Sequence, residues 1–342
     1  MRDDLPQLER DLLTTLQDRF PLELRPFARL AAQVGMSEED ALGRVMALKQ
    51  DGIIRQIGGI FDTQRLGYTS LLVAARVAPD HLDAVARAIS GHPGVSHNYG
   101  RDHLYNLWFT LAVPPGMDVA QEALALTDLA GVEDRLLLPS LRVYKLRVRF
   151  DLANEPTQGA HTTPTGAGQT HGNDHVRFDP RDIPLVRALQ EDLPIETQPY
   201  AVLAQNAGLD EETLLAGARR LLAEGFLRRY TAILRHRRAG YRANAMACWQ
   251  LDPDDVARAG ESAALDPAVS HCYERVSYPP RWPYQLYTMV HARSEQELIA
   301  TLARLQEVVR PLEMAVLRTG REYKKVRLRY FQEPSELSTR KE

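Results

Sequence analysis

Apolar positions near the N-terminus follow a helical period and then give way to strand-like segments. Leucines at the spacing of one helix face predict a first helix (Leu5, Leu8, Leu12, Leu13 and Leu16). A second helix is predicted over residues 24–34, with Gly35 as its C-cap, and Ser37 is the predicted N-cap of a third that stops near Gly52. Short apolar segments at 53–57 and 59–62 predict a two-stranded wing. Residues 1–65 therefore read as a winged-helix domain.

The next segment changes to alternating strand and helix patterns. The predicted order over residues 66–155 is strand, helix, strand, strand, helix and strand (70–77, 80–90, 95–101, 105–113, 118–130 and 132–150). This order is typical of a ferredoxin-like α+β sandwich.

The whole pattern occurs twice. Three glycines recur at a constant spacing, because 208 − 35, 225 − 52 and 240 − 67 all equal 173 (Gly35, Gly52 and Gly67; Gly208, Gly225 and Gly240). The second copy predicts a winged-helix domain over 179–240 and a ferredoxin-like domain over 241–334, after a polar linker at 156–178. We therefore predict an α+β fold built by tandem duplication, with the two halves forming a pseudo-dimer within one chain.

Composition narrows the class of protein without identifying it. The net charge of −3 argues against a chain that coats nucleic acid. Two cysteines are too few for a disulfide framework or a four-thiolate metal site. The charged N-terminus and the absence of an apolar run of about 18 residues predict a cytoplasmic protein without a membrane span. The irregularly spaced linker histidines are expected to be solvated rather than metal-bound (His161, His171 and His175).

The strongest chemical signal is the motif Ser-His-x-Tyr-x-Arg, which each half carries once, at 96–101 and 270–275. Alternate residues of a strand share a face, so each motif predicts a row of imidazole, phenol and guanidinium (His97, Tyr99 and Arg101; His271, Tyr273 and Arg275). Such a row is costly to bury without partners. It suits a site for a flat anionic ligand, because rings cover a ring face and arginine binds carboxylates.

The final strand of each half adds further cations. Lys145, Arg147 and Arg149 are predicted to share one face in the first half, as are Lys325, Arg327 and Arg329 in the second. They are candidates for holding carboxylates. The alternative is a solvated edge strand, on which lysine and arginine oppose aggregation.

A winged helix followed by this α+β domain resembles the Lrp/AsnC family of transcription regulators, which implies DNA binding. The helices that would enter the major groove nevertheless begin with carboxylates, at 38–40 and 211–212. Carboxylates oppose the phosphate contacts on which DNA affinity depends. DNA is therefore an improbable partner, although a regulator that responds to a tetrapyrrole or another small molecule stays the alternative.

The two long hairpin motifs resemble those of the siroheme decarboxylases, an offshoot of the Lrp/AsnC family, with both subunit types fused in one chain as in heme d1 biosynthesis. The resemblance implies loss of the C12 and C18 acetate carboxyl groups of siroheme as CO₂, with no cofactor beyond the iron tetrapyrrole itself. It makes His97 and His271 candidates for proton donor or axial iron ligand, assisted by Tyr99 and Tyr273. The remaining candidates for substrate binding lie on the same hairpins (Arg101, His103, Tyr105, Arg275, Trp282 and Tyr284).

The two copies are not identical, and this leaves open whether one half or both are active. His103 has no counterpart in the second half, where the equivalent loop reads Ser-Tyr-Pro-Pro-Arg. Trp108 and Tyr287 are expected in the core, and Cys272 is expected to pack on the face opposite His271. Besides siroheme, the expected partners are a second copy of the chain and other enzymes of tetrapyrrole synthesis.

Overall fold

The computed structural model describes residues 7–18, 20–146, 176–234 and 243–332. Contacts divide the chain into two compact units. The first unit contains the segments up to residue 68, those between 176 and 234, and residues 329–332; the second contains 69–146 and 243–328. Most of the predicted linker, including its three histidines, lies outside the described residues.

The first unit contains the helices of both predicted winged-helix domains. They are α1 (Gln7–Asp18), α2 (Pro26–Val34) and α3 (Glu38–Gln50) in one half, and α6 (Ile183–Leu189), α7 (Pro199–Asn206) and α8 (Glu211–Ala223) in the other. Gly35 ends α2 with φ 74°, and the Ser37 hydroxyl accepts from the Asp40 amide at the start of α3. Asp210 accepts from the Thr213 amide in the same way at the start of α8. The predicted helix caps are confirmed.

The predicted wing is wrong in one respect. Each half contributes one continuous strand rather than two, β1 (Ile54–Phe61) and β7 (Leu227–Leu234), and these two strands pair antiparallel with each other. Gly58, which separates the two predicted strands, and Gly59 lie inside β1 and allow close packing. A Cβ on Gly58 would lie 2.8 Å from the Glu191 carbonyl oxygen, and one on Gly59 2.8 Å from a Leu227 methyl carbon.

The second unit has the predicted ferredoxin-like order in each half. The first half contains β2 (Thr69–Val77), α4 (Leu82–Gly91), β3 (Val95–Arg101), β4 (Leu107–Val113), α5 (Val119–Leu126), β5 (Val132–Leu138) and β6 (Ser140–Leu146). The second contains β8 (Ala243–Gln250), α9 (Val256–Leu265), β9 (Val269–Arg275), β10 (Leu286–Ala292), α10 (Glu295–Val309) and β11 (Glu313–Lys325).

Nine strands form one sheet in which the halves exchange their last strands. The order is β5-β2-β4-β3-β11-β8-β10-β9-β6. The strand predicted over 132–150 is interrupted at Pro139, so that β5 pairs with β2 while β6 crosses to β9 in the other half. The continuous β11 makes the equivalent exchange, because it pairs first with β8 and then with β3. The predicted pseudo-dimer is therefore interlocked through its backbone.

Three apolar clusters stabilise this unit. One lies against the helices of each half, and the third joins the two halves on the other face of the sheet. Trp108 and Tyr287, expected in the core, are 1% and 2% exposed in the shared cluster. Cys272 is buried against α9, as expected, with its Sγ 3.6 Å from the Gly260 carbonyl oxygen. None of the described helices is both long and apolar enough to cross a membrane.

Candidate active site

A β-bulge shapes the start of each Ser-His-x-Tyr-x-Arg strand. The pairing register shifts between Val95 and His97 on β3, and again between Val269 and His271 on β9. The extra residue is a serine in both cases, and it hydrogen-bonds the ring of the histidine that follows. Ser96 Oγ lies 2.9 Å from His97 Nδ1, and Ser270 Oγ lies 2.7 Å from His271 Nδ1. Bulges of this kind re-aim side chains beside functional sites.

The predicted rows are present in both halves. The ring centroids of His97 and Tyr99 are 6.1 Å apart, and the Arg101 guanidinium lies 5.2 Å from the Tyr99 ring centre. The second row repeats this geometry closely. There the imidazole–phenol distance is 6.1 Å, and the guanidinium of Arg275 lies 4.9 Å from the ring centre of Tyr273. The alternation of a strand thus brings each triplet onto one face, as the motif predicted.

The two arginines connect each row to the other half of the chain. Arg101 donates to the Leu317 carbonyl oxygen at 3.3 Å and to the Thr319 hydroxyl at 2.6 Å, and Arg275 donates to the Leu138 carbonyl oxygen at 2.6 Å. The Nε of both guanidiniums is buried and has no hydrogen-bond partner among the described residues. Burial lowers the pKa of both arginines. Within the described chain no carboxylate forms an ion pair with either of them.

The two rows lie close enough for their charges to act on the same groups. Burial raises the pKa of the Cys248 thiol, and the charges of both Arg101 and Arg275 act against that rise, so both guanidiniums lie near the same buried thiol. Burial also lowers the pKa of His271 to about 4, and the charges of His291 and His97 lower it further. His271 is therefore a neutral imidazole at pH 7, and its environment includes the histidine of the other half.

A third imidazole adjoins the second row only. His291 Nε2 lies 2.9 Å from Ser270 Oγ, which also donates to the Met289 carbonyl oxygen at 3.3 Å. Ala112 occupies the equivalent position on β4, because Leu107 and Leu286 begin the matching strands and both positions follow five residues later. The sequence analysis missed His291, as well as the roles of Ser96 and Ser270. The serines could have been found, since they belong to the repeated motif.

The predicted aromatic contacts are buried in the shared cluster. Tyr105 and Tyr284 are 2% and 6% exposed and donate their hydroxyls to Asp134 at 2.6 Å and Glu313 at 2.7 Å. The Trp282 indole donates to the Tyr287 hydroxyl at 2.6 Å. His103 is half-buried edge-on to Trp282, with the ring centroids 5.4 Å apart, and burial lowers its pKa. The structure brings these four together by packing, and Tyr287 connects them to the second row, because the Arg275 guanidinium lies 5.7 Å from its ring centre.

The predicted cationic strand faces are only partly present. β11 ends at Lys325, so the prediction that Lys325, Arg327 and Arg329 share a strand face is wrong. Lys325 is exposed and lies opposite His97 in the ladder, whereas Arg329 belongs to the other unit and pairs with Glu191. Arg147 and Arg149 lie outside the described residues. They follow Leu146, which lies opposite His271.

Two further observations limit the kinds of site present. Among the described residues no group of three or more histidine, cysteine or carboxylate side chains could hold a metal ion. A surface pocket of about 560 Å³ is lined by none of the predicted site residues (Asp255, Arg258, Glu307, Val308 and Arg310).

The fold and the paired rows define a duplicated protein of the AsnC-like class. Residues 65–145 and 238–324 match the family described as AsnC-like ligand binding domain, and residues 9–55 and 182–228 match the siroheme decarboxylase NirDL-like HTH domain. A siroheme decarboxylase of Hydrogenobacter thermophilus is 35% identical over 326 residues, which cover 95% of each chain. The chain belongs to the siroheme decarboxylase family, a family of decarboxylating enzymes.

Other relatives carry the halves as separate subunits. The siroheme decarboxylase alpha and beta subunits of Desulfovibrio desulfuricans are 40% and 39% identical over 153 and 155 residues. These matches cover 44% and 45% of this chain and 87% and 98% of the subunits. A crystal structure of siroheme decarboxylase NirDL in co-complex with an iron-uroporphyrin III analogue superimposes with a TM-score of 0.75 at 30% identity, covering 95% of each chain.

Proposed function

We propose that this chain decarboxylates siroheme at the C12 and C18 acetate groups and releases 12,18-didecarboxysiroheme for heme d1 or alternative heme biosynthesis. The observation that carries the proposal is the pair of histidine–tyrosine–arginine rows, which lie close enough for the charge of His97 to act on His271. Family membership supports the reaction class. The iron-uroporphyrin III analogue bound by the related NirDL supports an iron tetrapyrrole as the ligand.

The reaction needs little more than a positioned acid and a held substrate. The bond between the acetate methylene and its carboxylate breaks, CO₂ leaves, and the electron pair stays on the methylene carbon, where the conjugated macrocycle spreads it. One proton then converts that carbon into a methyl group, so each CO₂ released consumes one proton. No electron acceptor is required, and the proposal includes no cofactor besides the substrate's own iron.

The two histidines suit different parts of this reaction. A neutral imidazole is the form that binds a metal, and His271 stays neutral because its pKa is held at about 4. His271 is therefore the proposed axial ligand of the substrate iron. His97, whose Nδ1 lies 2.9 Å from Ser96 Oγ, is the proposed proton donor. Tyr99 and Tyr273 assist as ring contacts beside the imidazoles.

The buried arginines supply charge for the carboxylates that remain. Each guanidinium has an Nε that lacks a partner among the described residues, and neither is neutralised by a described carboxylate. A substrate carboxylate would satisfy the Nε of Arg101 or Arg275 and offset the cost of burying its charge. Lys325 is proposed to bind a carboxylate nearer the rim, since it lies opposite His97 in the ladder. Arg147 and Arg149 are proposed to bind carboxylates as well, because they follow Leu146 in the sequence and Leu146 lies opposite His271. His103, Tyr105, Trp282 and Tyr284 stay predictions as substrate contacts.

DNA binding is not favoured by the winged-helix unit. The arginines on the helices that would enter the major groove already have intramolecular partners. Arg44 pairs with Glu9 at 3.1 Å, Arg220 with Asp182 at 2.5 Å, and Arg219 donates to the Leu22 carbonyl oxygen at 2.7 Å. Each of these contacts would compete with a phosphate. These contacts therefore count against the rival proposal of a tetrapyrrole-responsive regulator.

The test is the mass of the product after anaerobic incubation of the purified full chain with siroheme. The proposal expects loss of two CO₂ and appearance of a species with one CO₂ lost at early times. Heat-denatured chain is the control for spontaneous loss. Recovery of unchanged siroheme, together with gel-shift binding to DNA at moderate salt, would instead support the regulator.

A further inference from the structure

The hydrogen bonds around Ser270 determine which nitrogen of His271 carries its proton. The Ser270 hydroxyl has one proton to donate and two lone pairs with which to accept. It contacts His271 Nδ1 at 2.7 Å, His291 Nε2 at 2.9 Å and the Met289 carbonyl oxygen at 3.3 Å. A carbonyl oxygen only accepts, so making all three bonds at once requires the serine proton to point at Met289.

Both imidazoles must then donate to the serine oxygen. His271 carries its proton on Nδ1, and the lone pair of its Nε2 is free on the far side of the ring. Half one lacks this third imidazole. The Ser96 hydroxyl lies 2.9 Å from His97 Nδ1, and Ala112 stands where half two has His291. The second imidazole that fixes the direction of the bonds at Ser270 therefore has no counterpart at Ser96.

We propose that His291 is a positioning residue, which acts through Ser270 to hold His271 as the Nδ1–H tautomer with Nε2 ready to bind iron. The inference rests on the proposed function, in which His271 binds the iron of the substrate. The hydrogen bonds that fix the tautomer belong to the substrate-free chain. Metal-binding histidines are commonly oriented in this way, because the ring nitrogen that does not bind the metal donates a hydrogen bond to a neighbouring group. Divergence at one position, alanine in one half and histidine in the other, thus assigns the two imidazoles to different tasks.

The tautomer is measurable without substrate. In full-length chain labelled with ¹⁵N-histidine, two-bond proton–nitrogen correlations distinguish Nδ1–H from Nε2–H, and the His271 signals are assigned by their loss in His271→Gln. We expect Nδ1–H in the wild-type chain and in His291→Gln, which keeps a donor at that position. We expect His291→Ala to populate both tautomers, and Ser270→Ala to give the Nε2–H form that free imidazole prefers. An unchanged Nδ1–H tautomer in His291→Ala would overturn the proposal.

Siroheme binding gives a second readout. Titration followed by the Soret band should show affinity about 10- to 100-fold weaker in His291→Ala and near wild-type affinity in His291→Gln. Ser96→Ala is the matched control in half one, and it should leave the His271 tautomer unchanged. Unfolding midpoints show whether each variant is folded. If wild-type chain fails to decarboxylate siroheme while the tautomers behave as expected, the proposed function fails and this inference stands. Equal siroheme affinity in His291→Ala and wild type would overturn it.

Discussion

The two histidine rows share a backbone framework but differ in the hydrogen bonds around it. Both have a serine bulge, a phenol 6.1 Å from the imidazole and an arginine that donates to a backbone carbonyl oxygen of the other half. Only the second row adds a third imidazole, and only the first half carries His103 on its loop. The two halves therefore share the residues that position the rows and differ in the residues that surround each imidazole.

The largest expected effect separates the two histidines. His97→Ala should lower the rate of CO₂ release about 10²- to 10⁴-fold, because it removes the proposed proton donor, while siroheme still binds. His271→Ala should instead change the visible spectrum of bound siroheme and weaken its binding, because it removes the proposed iron ligand. Single-turnover rates and Soret titrations measure the two effects. If both variants lost the same rate of CO₂ release and gave the same spectrum of bound siroheme, the proposed roles of the two histidines would be contradicted.

Trp282 tests what the longer loop of half two contributes. Its indole lies 5.3 Å from Trp108 and 5.6 Å from Tyr105, both in half one, so it fills the core between the halves. Trp282→Ala should lower the free energy of unfolding by about 3–5 kcal/mol. Leu104→Ala, at a residue 60% exposed on the shorter loop, should change it by less than about 0.5 kcal/mol. Denaturant unfolding compares the two, and similar losses would contradict this packing role.

The pH dependence of stability tests the burial of His271. Its folded pKa of about 4 lies below the ordinary 6.5, so between these values the unfolded chain binds a proton that the folded chain does not. Above pH 6.5 His271 should not affect the free energy of unfolding. As the pH falls from 6.5 towards 4, the free energy of unfolding should decrease by about 3 kcal/mol. His271→Gln should remove that part of the decline. A parallel decline in variant and wild type would show that His271 is not buried as a neutral imidazole.

The smallest expected effects concern two lysines, one at the end of α4 and one at the end of α9, whose loss should lower the free energy of unfolding equally. Lys324 donates to the Ser90 and His92 carbonyl oxygens at the end of α4, and Lys145 donates to the Asp266 carbonyl oxygen at the end of α9. Lys324→Met and Lys145→Met should each cost about 1–2 kcal/mol of unfolding free energy. Denaturant unfolding measures both. If the two losses of unfolding free energy differ by more than about 1 kcal/mol, the backbone framework of the two halves differs as well.

The sequence predicted features that depend on local residues and missed those that depend on pairing between the halves. The glycine C-cap at Gly35, the α+β order and the face shared by His97 and Tyr99 follow from periodicity and turn chemistry. The exchange of β6 does not, because the apolar pattern of a strand says nothing about which strand lies alongside. The break predicted at Gly58 is wrong for a related reason, since a glycine that allows close packing looks the same in sequence as one that ends a strand.

The central claim, that both rows serve one interior, is tested most directly by the stoichiometry of siroheme binding. Anaerobic titration of the full chain, followed by the Soret band against a quantified protein concentration, should saturate at one siroheme per chain. His97→Ala and His271→Ala should each affect that single binding event or its turnover. Saturation at two equivalent siroheme molecules per chain, with each single variant abolishing only one of them, would contradict the account.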